Sequence, residues 1–219
     1  MKLQQVPVLY LHDNVFYPET IIPLVLSDDA SKKLVLYCYN NDIKVALHST
    51  HDKTSDVATI GKVLMVDSKK SDGTYLAVIQ GTERVRLVDI VQHLPYPIYT
   101  CYGHPENKSP QHLKEGALEK LYLIFENWIG KHIVDKKERD FFLNDISSPQ
   151  KLINNVALFM IKDVELKIIL LESNSLAEKI NLLDALLIGE NPEFEDQDMA
   201  RAIKNFDELQ IDPQKMTAN

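Results

Sequence analysis

Apolar and polar positions alternate with a period of two from Val6 to about His104, in short runs broken by turn residues. After Pro110 the spacing lengthens to that of a helix and stays so. The first regime predicts strands at 6–11, 21–26, 43–47, 59–66, 75–80, 85–91 and 98–102. Ser71-Asp72-Gly73-Thr74 has the Asp-Gly pair of a tight hairpin. One helix interrupts the strands: Ser27 is placed to cap it, and Ala30, Leu34, Tyr37 and Cys38 share its apolar face. In the second regime Leu113, Ala117, Leu121, Ile124 and Trp128 form one stripe, and Phe141 and Phe142 mark a shorter helix. Ser148-Pro149 opens a third, with proline at the first helical position. Two more follow, the last begun by the capping box Ser175-Leu176-Ala177-Glu178 and ended at Gly189. Strands followed by helices predict an α+β protein with a β-rich domain over 1–104, a helical bundle over 105–189 and a tail over 190–219.

One stretch breaks the strand pattern. In LHDNVFYPETIIPLVL, Pro18 and Pro23 sit in an otherwise strand-like apolar run. Proline cannot donate to a sheet ladder, so this segment reads as an extended edge with a corner in it.

Charge separates the tail from the rest. Residues 1–104 hold 10 Lys/Arg against 11 Asp/Glu, residues 105–189 hold 11 against 13, and residues 190–219 hold 3 against 8. A near-neutral folded part without a dense basic stretch lacks the electrostatic footprint of nucleic-acid binding. The tail is expected to be partly ordered, with a narrow helical face of Met199, Ile203, Phe206 and Leu209. Two cysteines outside any CxxC pair fit a reducing compartment, and neither a signal peptide nor a membrane-length apolar segment is evident. A cytoplasmic location and no membrane partner are the expectation.

Candidate chemistry is sparse. His48 and His51 are three apart, but the surrounding loop offers only Asp52 as a third metal ligand, so a solvated loop is the stronger reading. Neither Gly61-Lys62 nor Gly130-Lys131 has the spacing of a phosphate-binding loop, and no GxSxG elbow occurs. No catalytic residue, cofactor or metal is expected. Gln80-Gly81-Thr82-Glu83-Arg84-Val85-Arg86 reads as a hairpin in which Gly81 supplies a positive φ and both arginines face outward. The alternative makes Arg84 and Arg86 anion or partner contacts.

Three stretches together resemble one family. VPVLYLHDNVFYPETIIPLVL, IGKVLMVDSKKSDGTYLAVIQGTERVRL and SSPQKLINNVALFMIKDVELKIILLESNSLAEKINLLDALL are similar, in this order, to parts of the Lon protease amino-terminal, substrate-binding domain. His12, Gln80 and Lys179 depart from the arginine, glutamate and arginine common in that family. The resemblance implies a PUA-like β-barrel with one packed helix, followed by a helical bundle, as a stand-alone domain. The ATPase and Ser-Lys protease modules of full Lon enzymes have no counterpart in the 219 residues, nor do the cysteines of the zinc module in ubiquitin-ligase relatives. It implies non-catalytic recognition of unfolded or degron-bearing polypeptides, or of another protein, in association with a catalytic protease and in protein quality control. RNA binding is the alternative, on fold analogy alone. In the related domains the proline corner lies at the mouth of the β domain, which makes Phe16, Tyr17, Pro18, Ile21 and Ile22 the candidate peptide- or partner-binding residues. The opposing reading is that they are core; Ile21 and Ile22 point to opposite faces, so at least one of them is expected inside.

Overall fold

The structure, a computed structural model, describes residues 2–51, 55–68, 73–107 and 114–188. Lys69, Lys70, the hairpin tip at Ser71 and Asp72, Leu113, Gly189 and the acidic tail lie outside the described residues. Six strands come first: β1 (Leu3–Leu11), β2 (Ile21–Leu26), β3 (Val45–Ser49), β4 (Val57–Asp67), β5 (Tyr75–Gln92) and β6 (Ile98–Gly103), with α1 (Asp29–Asn40) between β2 and β3. Five helices follow: α2 (Ala117–His132), α3 (Lys136–Asn144), α4 (Pro149–Phe159), α5 (Val164–Glu172) and α6 (Leu176–Ile188). The class is α+β, as the switch in periodicity predicts.

The sheet is organised by β5. It pairs antiparallel with β2, β4 and β6, while β1 joins β3 in parallel and β6 antiparallel. Pairings therefore run β5–β4–β3–β1–β6 and return to β5, leaving β2 outside this circuit as an edge strand. Pro23 sits in that edge strand opposite Val78, where a missing donor is tolerated. The two strands expected at 75–80 and 85–91 are one, and the hairpin expected at Gly81 does not exist. Gly81 does not have a positive φ either; among the described glycines, only Gly73 and Gly116 do.

Local signals set the helix starts. Asp28, not Ser27, caps α1, accepting from the Ser31 amide at 2.8 Å. Ser148 caps α4 through the Lys151 amide at 3.1 Å with Pro149 just inside, and Ser175 accepts from the Glu178 amide at 3.3 Å at the start of α6. In α2 the buried face is Ala117, Leu121, Phe125 and Ile129, so the stripe runs one residue later than Ile124 and Trp128 suggest. Phe141 of α3 points to solvent.

Two hydrophobic clusters result. The smaller joins Val6, Val8, Ala46, Ala58, Ile60, Val85, Leu87 and Cys101, all on strands. The larger draws on both halves of the chain, from Leu9, Phe16 and Ile79 to Phe125, Ile161 and Leu183. Phe16 and Tyr17 are among its largest fully buried side chains. The proline corner is thus where strand core and helix core meet.

Candidate functional site

The corner is fixed from both sides. Its backbone is held against the sheet: Thr59 Oγ1 donates to Phe16 O at 2.6 Å, Thr20 Oγ1 to Tyr17 O at 2.8 Å, Glu19 N to Gly81 O at 3.0 Å, and Gly81 N to Thr20 O at 2.9 Å. This close approach explains two glycines. A Cβ at Gly81 would overlap the Tyr17 carbonyl oxygen, and one at Gly61 would lie 2.7 Å from Ile79 Cγ2 and 3.2 Å from Phe16 Cε1. Glu19, just past Pro18, takes a left-handed φ of 61°, which turns the chain into β2.

Helices hold the other side. Tyr17 is 1% exposed, and its hydroxyl donates to Lys167 O of α5 at 2.7 Å. Burial drives its phenol pKa well above the ordinary value, so it stays a donor. Asn154 Nδ2 of α4 donates to Pro18 O at 2.8 Å, and Ser148 Oγ to Glu19 Oε2 at 3.2 Å. Of the five candidate residues, Phe16, Tyr17, Pro18 and Ile22 are buried, and Ile21 alone is exposed, at 45%. The alternation of β2 produces the last contrast, with Ile22, Leu24 and Leu26 facing in and Ile21 and Pro23 facing out.

Charged groups continue the same joint. Arg84 faces away from Val85, as alternation requires, yet it does not reach solvent because α5 ends over it. Its Nη1 donates to Leu171 O and, at 2.7 Å, to Ser173 O; its Nη2 donates to Asn174 Oδ1 at 3.4 Å. Unpaired carbonyls at a helix C-terminus are natural partners for a guanidinium. Lys179 of α6 is 1% exposed and pairs with Glu106 at 2.5 Å; burial pushes its pKa down to about 8 against the pull of Glu106. Lys167 has a pKa of about 8 for the same reason, with Asn14 Oδ1 at 3.4 Å as its hydrogen-bond acceptor. Arg84, Lys167 and Lys179 cannot be told from surface cations in the sequence, because their burial depends on which helix lies across which strand.

Outside the joint the sheet keeps an apolar face open. Cross-strand rows on β2, β5 and β4 read Ile21, Gln80, Lys62; then Pro23, Val78, Met65; then Val25, Leu76, Asp67. A register shift between Val63 and Met65 adds Leu64 at its side. Ile21, Leu64 and Met65 are each over 40% exposed, and Pro23 is exposed beside them. The remaining candidates are elsewhere. Arg86 pairs with Asp56 at 2.5 Å, and His48 sits on β3 with Nε2 3.0 Å from Ser55 O, its ring edge-on to Tyr10. Among the described residues no three His, Cys, Asp or Glu side chains come together to hold a metal ion. No described helix is long and apolar enough to cross a membrane.

Comparison with known proteins identifies the arrangement. A sequence model described as the ATP-dependent protease La (LON) substrate-binding domain matches residues 5–188. The Lon protease of Buchnera aphidicola subsp. Acyrthosiphon pisum is 25% identical over 194 residues, which cover 84% of this chain and 25% of that protein. The Lon protease of Escherichia coli (strain K12) is 25% identical over 199 residues, 85% of this chain and 25% of its own length. The chain thus spans about a quarter of the length of these curated relatives. Among solved structures, the N-terminal domain of Mycobacterium avium complex Lon protease superposes with a TM-score of 0.68 at 16% identity, covering 86% of this chain and all of that one. A Lon N-terminal domain protein from Xanthomonas campestris gives 0.61 at 16% identity, covering 86% and 99%.

Proposed function

The chain belongs to the ATP-dependent protease La (LON) substrate-binding domain family, and from that premise we propose that it is a non-catalytic module recognising unfolded or degron-bearing polypeptides through the apolar face of β2, β5 and β4. The observation that carries this reading is the row Pro23, Val78, Met65 with Ile21 and Leu64 beside it, open hydrocarbon on a sheet whose other face is packed. Contiguous exposed apolar surface on a soluble fold marks a contact surface. Burying it returns about 25 cal/mol per Å² of apolar area, enough for weak, sequence-tolerant binding by a few side chains. Of the corner residues, Ile21 would touch the polypeptide directly, while Phe16, Tyr17, Pro18 and Ile22 would act by holding β2 in place. Edge strand β2 offers an extended segment a ladder beside those side chains, interrupted at Pro23.

In this reading the module delivers bound chains to a catalytic protease as part of protein quality control in the cytoplasm, with 1–104 and 105–189 as its β-rich and helical parts. It needs no cofactor of its own. The test is fluorescence anisotropy with reduced, carboxymethylated α-lactalbumin, comparing the wild type with Ile21→Ser and Met65→Ser. Weaker binding in both variants at unchanged fold supports the face; unchanged affinity in both moves recognition elsewhere.

A further inference from the structure

α2 is apolar round more of its circumference than the core takes up. Ala117, Leu121, Phe125 and Ile129 are buried, whereas Leu118 and Tyr122, four apart, form a second row with Leu123 beside it. Together with Ile146, Pro149 and Leu152, from the link after α3 and the start of α4, they line an open groove of about 500 Å³. Hydrocarbon dominates it. Glu119 is the one charged residue on its described walls, and Tyr122 and Leu123 are 37% and 56% exposed. A groove between two helices suits the apolar face of a third. The sequence of the tail supplies such a face. Met199, Ala202, Ile203, Phe206 and Leu209 fall at i, i+3, i+4, i+7 and i+10, which makes one continuous stripe at helical spacing. Asp198 stands at the N-cap position before it, and Pro213 bars its extension. Residues 199–209 are too few for a stable helix alone, since isolated helices below about 12–15 residues are marginal in water. The stripe needs a surface to pack against.

We propose that residues 199–209 dock as an amphipathic helix in the groove between α2 and α4 of the same chain. The covalent connection favours this occupant over others. Lys114 N donates to Asn181 Oδ1 at 3.1 Å, which puts the middle of α6 beside the start of α2, four residues before Leu118. From Asn181, α6 runs on to Ile188, about 10 Å at 1.5 Å per residue. Residues 189–198 then form a connection that can reach about 33 Å. That is enough to pass round α2, whose diameter with side chains is about 10–12 Å, and enter the groove. A short tether holds its helix at an effective concentration on the order of millimolar, so even a weak apolar contact is filled. A free polypeptide must displace the tethered helix, and a second copy brings a formal charge of −8 against another −8. The groove is separate from the open face of β2, β5 and β4, so this contact stands or falls independently of the function proposed above.

The experiment is amide hydrogen exchange, read by mass spectrometry, on the whole chain. Amides of 199–209 should exchange about tenfold or more slowly than in a free peptide of the same sequence. That protection should be lost in Phe206→Asp and in Leu123→Asp, with denaturation midpoints checking that each variant is folded. A labelled peptide of residues 198–210 gives a second readout that needs no change in the groove. It should bind Phe206→Asp about tenfold or more tighter than the wild type, whose own tail already fills the groove, and slow exchange over 118–123 and 146–152 as it binds. Unprotected 199–209 amides in the wild type, or equal peptide affinity for the wild type and Phe206→Asp, overturn the proposal. So does protection of 199–209 that survives in folded Leu123→Asp, which places the helix elsewhere. Protection that rises with protein concentration alongside a dimer on gel filtration also overturns it and gives the groove to a second copy. If carboxymethylated α-lactalbumin slows exchange over 118–123 and the tail peptide does not, the groove takes free polypeptide and the proposal fails.

Discussion

The joint and the open face of β2, β5 and β4 invert the usual distribution of polarity. At the joint, Arg84, Lys167 and Lys179 are buried, along with the Tyr17 hydroxyl and the Asn154 amide. On the open face, Ile21, Pro23, Leu64 and Met65 are left in water. Hydrogen bonds are directional, so a buried polar group is satisfied in only one arrangement of the elements around it; a hydrophobic surface accepts many arrangements of whatever covers it. The chain uses the first kind of contact to fix the helices on the sheet and exposes the second kind. On the proposed function, a module that holds many different unfolded segments would need a rigid frame and an undemanding surface, and the two regions would supply one each.

The comparison breaks most visibly at Lys179. Replacing it by alanine leaves Glu106 buried without its ion-pair partner and with only the more distant charge of Arg84, and removing one member of a buried pair typically costs about 3–5 kcal/mol. Chemical denaturation of Lys179→Ala should show a loss of that order, with Arg84 and the α5 carbonyls still in place. A loss under about 1 kcal/mol would mean that water replaces the ammonium and that the joint is looser than its geometry.

Gly81→Ala comes next. Its methyl group would overlap the Tyr17 carbonyl oxygen and crowd Pro18 Cα, both backbone atoms that cannot rotate away. Overpacking of this kind costs about 1–3 kcal/mol and more where backbone must shift. The expected readout is a lowered denaturation midpoint together with a weakened Tyr17 to Lys167 contact. An unaffected midpoint would show that the corner can lift off β5.

Lys167→Met should act in the opposite direction. Lys167 is buried, its ammonium donates to the neutral amide oxygen of Asn14, and its pKa falls from 10.5 to about 8 on folding. The folded chain therefore binds fewer protons than the unfolded chain between those values, and wild-type stability gains from this group as pH rises from about 8 to about 10.5. Below about 8 the cost of burying the charge is fully present. Methionine has no such charge, so the variant should be more stable by about 2 kcal/mol at pH 7. That advantage should shrink as pH rises through the same window. The difference between the two proteins isolates Lys167 from Cys38, whose thiol is pushed up to about 12 by burial and whose effect is common to both. A constant difference across the window would mean that Lys167 is already solvated through Asn14.

The α+β division and the corner were legible in the sequence because each depends on neighbours along the chain. Periodicity, the Ser148-Pro149 start and the Ser175 capping box all act within a few residues. Gly81 was legible as special but for the wrong reason: a local reading offers a turn, whereas the cause is the Tyr17 carbonyl lying against it from a distant loop. Arg84 failed in the same way, since alternation correctly put it opposite Val85 but could not show that α5 covers that side. The candidate set at the corner mixed both kinds. Alternation separates Ile21 from Ile22, whereas the burial of Phe16, Tyr17 and Pro18 depends on α4 and α5. Met65 and Val78 gave no signal on their own, because their row exists only once the register of β4 on β5 is known.

The smallest expected effect on stability falls on the open face and separates the two regions most sharply. Ile21→Ser removes a side chain that is 45% exposed. Such surface changes usually stay within about 0.5 kcal/mol. Ile22→Ser, one residue on, removes a side chain that is 5% exposed, and truncating a buried isoleucine costs about 2–5 kcal/mol. Adjacent residues of one strand should thus split: the first should lose affinity for carboxymethylated α-lactalbumin while keeping its denaturation midpoint, and the second should lose its midpoint while each folded molecule still binds. Measuring both properties on both variants makes the comparison decisive. If Ile21→Ser destabilises as much as Ile22→Ser, β2 is not an open edge and the apolar rows are covered in solution. If Ile22→Ser alone weakens binding per folded molecule, recognition enters through the core side of the corner, and the frame and the surface are not the separate devices that their opposite polarity implies.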